Sequence, residues 1–428
     1  MESDRYHPRF RHLTPMSRRQ FLRRSAGAAL ALPSMAAILA ACTKPGTGGG
    51  DGASSSSLPY ELARPDHPVT LPIHDDVPPI PGGQQPEQNA TVQLYQWDAY
   101  MWKFVLGKFE EQYDTHYEWT TFESISGEAA QKLSSGQIKA DVFWPTVDYM
   151  GKMVAAKLFR PLTKEYIPNL ERNMWPSFQN PFYDQGWRYS VPYTIYTTGI
   201  GYRRDHISDQ EVAEKGWDIF WDPKYKGKTG IYDDYREAIS MALLRNGVTD
   251  LNTADQSSLD KAKADLLDLI DTMDIRATIN GAYAKLPEDD FWLHQAWSGD
   301  MVGAQWYLPK GVNTDVLGFW WPEDGKGPIG NDTMVVLAGG ENPVLAHLFL
   351  NFMLDEHWAV KNFGWNGYQP PLTSMEPDKL IGQGYVPETL DKAIVRQDDF
   401  DRGLFELELA PVDDQKWQDV WDEFKAGA

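Results

Sequence analysis

The sequence predicts an α/β fold, and three observations carry that expectation. From residue 91 onward, β-forming runs alternate with amphipathic helical runs, the pattern of a mostly parallel sheet covered by helices. About 340 residues remain after the N-terminal segments, enough for two sizeable cores. Polar and aromatic residues also gather in the turns that follow the β runs, at 97–100 and 145–149, where sheets of this kind bind ligands.

The first 42 residues read as an export address. Ser17-Arg18-Arg19-Gln20-Phe21-Leu22 has the form of a twin-arginine signal, and a small-residue apolar stretch follows from Ala26. That stretch is short and rich in Ala and Gly, so it reads as a cleavable signal and not as a spanning helix. It closes in Leu39-Ala40-Ala41-Cys42, which resembles a bacterial lipobox and implies lipidation of Cys42. Cys42 is the single cysteine of the chain, so an intrachain disulfide is excluded. Residues 43–90 combine Gly/Ser linker composition with Pro65, Pro68, Pro72, Pro78, Pro79 and Pro81, and carry no periodic apolar face. They are expected to form a disordered tether.

Within the body, Thr91–Gln96 reads as a strand, followed by a helix to Tyr113 with Val105, Leu106 and Phe109 at helical spacing. Tyr117–Phe122 is a second strand, Ser126–Leu133 a helix, Asp141–Trp144 a third strand and 145–158 a turn into a helix. Ser190–Tyr202 is long, β-branched and aromatic, and reads as a strand connecting two lobes. Leu259–Met273 reads as a helix, Gly299–Tyr307 as a strand, Leu317–Trp321 and Asn331–Ala338 as strands, Asn342–Phe363 as one long helix, and Gln415–Ala426 as a closing helix.

The net charge is −21, and the first 42 residues hold seven arginines against Glu2 and Asp4, so the remainder is near −26. Such a body lacks the basic face that nucleic acid needs and attracts cations at long range. The acids concentrate at one notable place. Gly230–Tyr232 ends in Asp233-Asp234, and a helix then begins with Glu237 in its first turn. Asp234 and Glu237 lie on one face of that turn. Asp-x-x-Glu at a helix start is equally a capping box, so a cap and a cation site both remain open for these two residues.

The order of segments from residue 91 to the end resembles the spermidine/putrescine-binding extracytoplasmic proteins of polyamine ABC transporters. The resemblance rests on Trp97-x-x-Tyr100, Val191-Pro-Tyr with Gly199-Ile-Gly201-Tyr, and Trp221-Asp-Pro-Lys-Tyr-Lys-Gly. It rests further on Asp233-Asp-x-Arg-Glu237, Trp306, Asp332 before an apolar run, and Gly367-Tyr368-x-Pro. It implies a two-lobed, type II periplasmic-binding-protein-like fold with a hinge and an interlobe ligand cleft. Lobe 1 would comprise 91–198 and 332–372, and lobe 2 would comprise 199–331 and 373–428. It also implies ring contacts from Trp97, Tyr100, Trp306 and Tyr368, a hydroxyl contact from Thr146, ammonium contacts from Asp234 and Glu237, and a central carboxylate at Asp332. Two positions depart from the family pattern. Gly330 stands where a tryptophan is frequent, and Asp148 stands where a ring is usual, which predicts a wider and more anionic pocket.

The expected function is therefore a lipid-anchored, monomeric, extracytoplasmic binding protein. It would deliver a polyamine-like cation to ABC permease subunits, with no catalysis, metal or cofactor and no nucleic-acid partner. Two other readings stay open: the same fold holding a sugar, an opine-like amine or a metal ion, and an exported glycosidase using Asp234, Glu237 or Asp332. Two acids on one helical turn sit side by side and not across a scissile bond, which counts against the enzyme.

Overall fold

The computed structural model describes residues 58–427; the twin-arginine segment, Cys42 and the tether up to residue 57 lie outside the described residues. Eleven strands form one mixed sheet among these residues. Strand β1 (Thr91–Trp97) pairs in parallel with β2 (His116–Phe122) and β3 (Val142–Phe143). At the far edge β6 (Thr229–Tyr232) pairs in parallel with β7 (Arg276–Thr278) and β8 (Leu293–Trp297). The middle of the sheet is antiparallel, a departure from the mostly parallel expectation. There β10 (Pro328–Leu337) runs against β3, β4 (Phe159–Arg160) and β5 (Ser190–Arg203).

Strand β5 serves two parts of the sheet. Its first half, up to Thr197, pairs with β10. From Thr198 on it pairs with β8, and from Ile200 with β9 (Leu317–Trp320) on the other side. One continuous strand thus changes partners at its centre. That is how the long β-branched run Val191–Tyr202 stays extended while serving two sub-sheets.

Helices cover both ends. Helix α1 (Lys103–Tyr113) buries Val105, Leu106 and Phe109 in a core shared with Val92, Leu94, Val336 and Phe349. Helices α2 (Tyr235–Arg245), α3 (Gln256–Met273) and the C-terminal α8 (Pro411–Gly427) form a second core around Ile239, Leu266 and Trp417. In α3 the buried residues Leu259, Ala262, Leu266, Leu269 and Met273 follow the helical period that made it legible.

Three expectations are overturned. The run Gly299–Tyr307 is not a strand: after the short helix α4 (Ala282–Lys285), Ser298–Gly303 forms α5 and 304–307 a 3-10 turn. Every residue of α5 is buried, so no polar face marks its period, and a short apolar run then reads equally as a buried strand. The long helix expected over 342–363 is two, α6 (Pro343–Met353) and α7 (Glu356–Asn366). The break falls at Asp355, whose side chain accepts from the His357 N–H at 3.0 Å and starts the second helix as its N-cap.

The third correction concerns the tether, whose residues 58–90 form a strap docked on the body. Val69 and Leu71 are buried, and the Val69 N–H donates to the Phe182 carbonyl at 2.8 Å. Arg188 and the Tyr189 hydroxyl donate to the carbonyls of Leu71 and Pro72 at 2.7 and 2.6 Å. The Thr163 and Tyr166 hydroxyls do the same for Ile80 and Pro81 at 2.6 and 2.8 Å. Glu87 accepts from the N–H groups of Val344 and Leu345, both at 2.9 Å, and so caps the start of α6. Proline fixes the strap extended and limits the entropy lost on docking. Its carbonyls are satisfied by side chains more than eighty residues away, which no local pattern reveals.

Candidate functional site

A cavity of about 130 Å³ opens where the turn after β1, the start of α2, the ends of β8 and β10 and the turn after α7 converge. Trp97, Tyr100, Thr146, Asp148, Asp234, Glu237, Asp332 and Tyr368 all line it. Trp306 does not. Its indole N–H donates to the Gly364 carbonyl at 3.0 Å, and the next residue, Tyr307, lines the cavity in its place. Residues 304–307 form a 3-10 turn that presents Tyr307, and not the Trp306 that the resemblance implies, to the cavity.

Asp332 is held from one side only. Ala99, at φ +53°, turns the chain after β1 so that Tyr100 points inward, and the Tyr100 hydroxyl donates to Asp332 Oδ2. Thr194 Oγ1 lies 2.9 Å from the same phenolic oxygen. With the phenolic proton directed at Asp332, Thr194 is the donor of that second bond. Asp332 Oδ1 is buried and has no hydrogen-bond partner, although the residue is only 5 % exposed. Burial therefore pushes this carboxyl up to about 7, with the Tyr100 hydrogen bond opposing the rise and the neighbouring Asp148 adding to it.

The second acidic group stands at the start of α2. Asp234 Oδ1 accepts from the N–H groups of Arg236 and Glu237 at 2.9 and 3.2 Å, so the capping function is present. The two readings are not exclusive, because the capping residue also lines the cavity. Glu237 is directed elsewhere: its carboxylate accepts from the Thr198 hydroxyl at 3.0 Å, the Trp297 indole N–H and Gln295 Nε2 at 3.4 Å. Burial raises it well above the usual carboxylate range, and the nearby Glu406 adds to the rise.

Glu406, just after the short strand β11 (Leu404–Phe405), also lines the cavity. Its Oε1 is buried without a partner, and burial pushes the carboxyl up to about 7 against the pull of Arg236. Asp148, which accepts from the Thr146 hydroxyl, is likewise raised by burial. Among the described residues Arg236 is the one basic side chain lining the cavity, and its guanidinium is committed to the carbonyls of Leu407 and Leu251 and to Asn252 at 2.8–2.9 Å. Seven acidic side chains thus line the cavity against this one basic residue, while among the described residues no three His, Cys, Asp or Glu side chains converge to hold a metal ion.

The walls are aromatic and mutually braced. Trp297 stacks on Tyr232 with centroids 3.9 Å apart and planes at 18°. Tyr196 meets Trp297 and Tyr368 edge-on, and Tyr368 meets Tyr100 edge-on at 5.2 Å. Tyr232 and Tyr368 each donate to Asp300 at 2.7 Å, satisfying both of its oxygens, and burial still pushes Asp300 up to about 6. Tyr368 is placed by Gly367, which has φ +84° and closes α7; a Cβ there would lie 2.2 Å from the Gly299 carbonyl oxygen. Gly330 does not widen the pocket as expected, because the Tyr196 ring occupies the space above it.

Sequence reasoning missed Tyr196, Trp297, Asp300 and Glu406. Tyr196 was within reach: Thr194, Tyr196 and Thr198 alternate on one face of a recognised strand. Trp297 ends a strand as Trp97 does, which is the same positional signal.

Residues 105–383 match the family model described as bacterial extracellular solute-binding protein. The chain is 28 % identical over 279 residues to the putrescine/cadaverine-binding protein of Pseudomonas aeruginosa, covering 64 % of this chain and 77 % of that one. It is 27 % identical over 285 residues to the spermidine/putrescine-binding periplasmic protein of Escherichia coli, covering 67 % and 78 %. Among solved structures, the TpPotD lipoprotein of Treponema pallidum superimposes with a TM-score of 0.66 at 22 % identity, over 78 % of this chain and 99 % of that one.

Proposed function

The chain belongs to the bacterial extracellular solute-binding proteins, and on that premise we propose that it captures a polyamine or similarly slender organic cation between its lobes and delivers it to the permease of an ABC importer. One observation carries this reading above the rest. Asp332 presents a buried oxygen with no partner to a cavity walled by rings, and a donor with positive charge would compensate both its burial and its acidic neighbours. The names of the two relatives above support the same ligand class.

In this reading Asp332 takes one ammonium group, and Asp234 and Glu237 take another from the second lobe. Trp97, Tyr100, Tyr196, Trp297 and Tyr368 enclose the methylene chain. Each buried methylene contributes roughly 0.8 kcal/mol, and an ammonium over a ring adds ~0.5–2 kcal/mol. Thr146 and Asp148 tune the Asp332 end. The hinge falls at 198/199 on β5, where the change of strand partners supports it, and at 331/332 on β10 and 372/373. The protein acts as a monomer without catalysis, exported by its twin-arginine segment and anchored through lipid on Cys42.

The test is calorimetric titration of the protein from residue 43 onward with putrescine, spermidine and spermine. Saturable one-to-one binding of at least one of them, lost in Asp332→Asn, is expected. Absence of heat with all three, at pH 8 and low salt, would overturn the ligand class.

A further inference from the structure

Gly330 of β10 and Tyr196 of β5 are direct partners in the antiparallel register. Directly opposed residues project to the same face of a sheet, and both of these line the cavity. The Tyr196 ring lies across the glycine. A Cβ at residue 330 would meet its Cζ and its hydroxyl oxygen, each at 2.7 Å, closer than carbon atoms approach. The two positions therefore share space for a single ring, and β5 supplies it.

That ring stands midway between the two acidic groups. Thr194 bonds the tyrosine that holds Asp332, and Thr198 bonds Glu237. Thr194, Tyr196 and Thr198 lie at alternate positions on one strand, so Tyr196 is flanked by one acidic group on each side, and four residues of strand span roughly 13 Å. The Tyr196 hydroxyl makes no hydrogen bond among the described residues, while the charges of Asp332, Glu237, Glu406 and Asp148 all bear on it. An extended chain advances about 1.2 Å per bond, so a nine-bond triamine reaches ~11 Å between its ends and a five-bond diamine only ~6 Å.

Resting on the polyamine reading, we propose that the Tyr196–Gly330 pair sets ligand selectivity: the ring from β5 is the mid-cleft contact for the inner amine of a linear triamine whose outer ammonium groups lie at Asp332 and Glu237. A diamine reaches one acidic group and leaves the other unpaired, which disfavours it. The competing reading is that Tyr196 merely shields a strand glycine, as cross-strand aromatic residues do.

The experiment is a cycle of Tyr196→Ala, Gly330→Trp and the double variant, read by thermal melting without ligand and by titration with spermidine and putrescine. The wild type is expected to prefer spermidine. Tyr196→Ala is expected to weaken both amines, and spermidine roughly 2- to 30-fold more than putrescine. Gly330→Trp alone is expected to lower Tm and abolish binding, and adding Tyr196→Ala to restore both, because the new indole enters the vacated space. An unchanged spermidine-to-putrescine ratio in Tyr196→Ala, with only Tm lowered, would overturn the selectivity role. A double variant no better than Gly330→Trp would overturn the shared space; if Gly330→Trp fails to fold, Gly330→Ala with and without Tyr196→Ala decides the same point. Should the wild type bind neither amine, the ligand class and the triamine selection fall together, while the ligand-free melting cycle still decides the shared space.

Discussion

Replacing Asp332 by asparagine separates binding from folding more sharply than any other change at this site. In the ligand-free protein the carboxyl is held at about 7 against an ordinary value of 3.8, chiefly by burial. Each pH unit of that separation is worth about 1.4 kcal/mol, so ionising Asp332 costs the empty protein on the order of 4 kcal/mol. The sign follows from the raised value: stability is fully present below pH ~4 and is lost as pH rises through about 7. Asp300, at about 6, and Glu406 and Glu408, at about 7, act in the same direction. The amide introduced by Asp332→Asn keeps an acceptor for the Tyr100 hydroxyl and carries no charge. The ligand-free variant is therefore expected to melt higher than wild type at pH 8, by far less at pH 4.5, and equally below pH ~4. Affinity moves the other way, since removing one partner of a buried charge pair costs ~2–5 kcal/mol, or roughly 30- to 5,000-fold. Differential scanning calorimetry across pH, paired with titration at pH 8, reads both. A variant less stable at pH 8 with unchanged affinity would refute the argument and make Asp332 a structural residue.

The strap gives a second prediction: a protein beginning at residue 91 should melt below one beginning at 58, since Val69 and Leu71 each contribute ~1.5–3 kcal/mol by burial, and amide exchange should rise at 182–189. Equal melting would mean that the strap adds nothing. Glu237→Gln retains an acceptor for Thr198 and Trp297, so it is expected to weaken polyamine binding at least tenfold with stability unchanged or raised; titration and melting of the same sample check this. The Tyr283 hydroxyl donates to Asp98 at 3.1 Å, joining α4 to the turn after β1, and Tyr283→Phe should speed release by roughly 2- to 10-fold in stopped-flow fluorescence. Affinity should also fall steeply between low and high salt, whereas indifference to salt would favour a neutral solute such as a sugar.

How much was legible depended on whether the governing contact was local. Helix α3 and strand β5 were readable because their own periods or composition encode them. Trp97, Tyr100 and Asp234 were readable because strand ends and helix starts are where such sheets place ligand contacts. Helix α5 was not, because complete burial erases the period; beyond it, the ring implied by resemblance at Trp306 gives way to Tyr307 in the cavity. Glu406 was hidden for a different reason: it owes its place in the cavity to the return of the chain more than 160 residues after Arg236, whose charge faces it. Gly330 shows the limit most clearly. Its missing side chain was visible, but the ring that fills its space comes from the partner strand, so only register reveals it.

The docked strap also limits how far the body could travel from a lipid on Cys42. A chain free from residue 43 to 90 has a contour of roughly 160 Å, whereas residues 43–57 alone cannot exceed roughly 50 Å whatever conformation they take. If Cys42 carries the lipid, the body is confined to a shell about one protein diameter deep above the bilayer. A permease in the same membrane is then sought in two dimensions at high local concentration, and one across a wider compartment is out of reach.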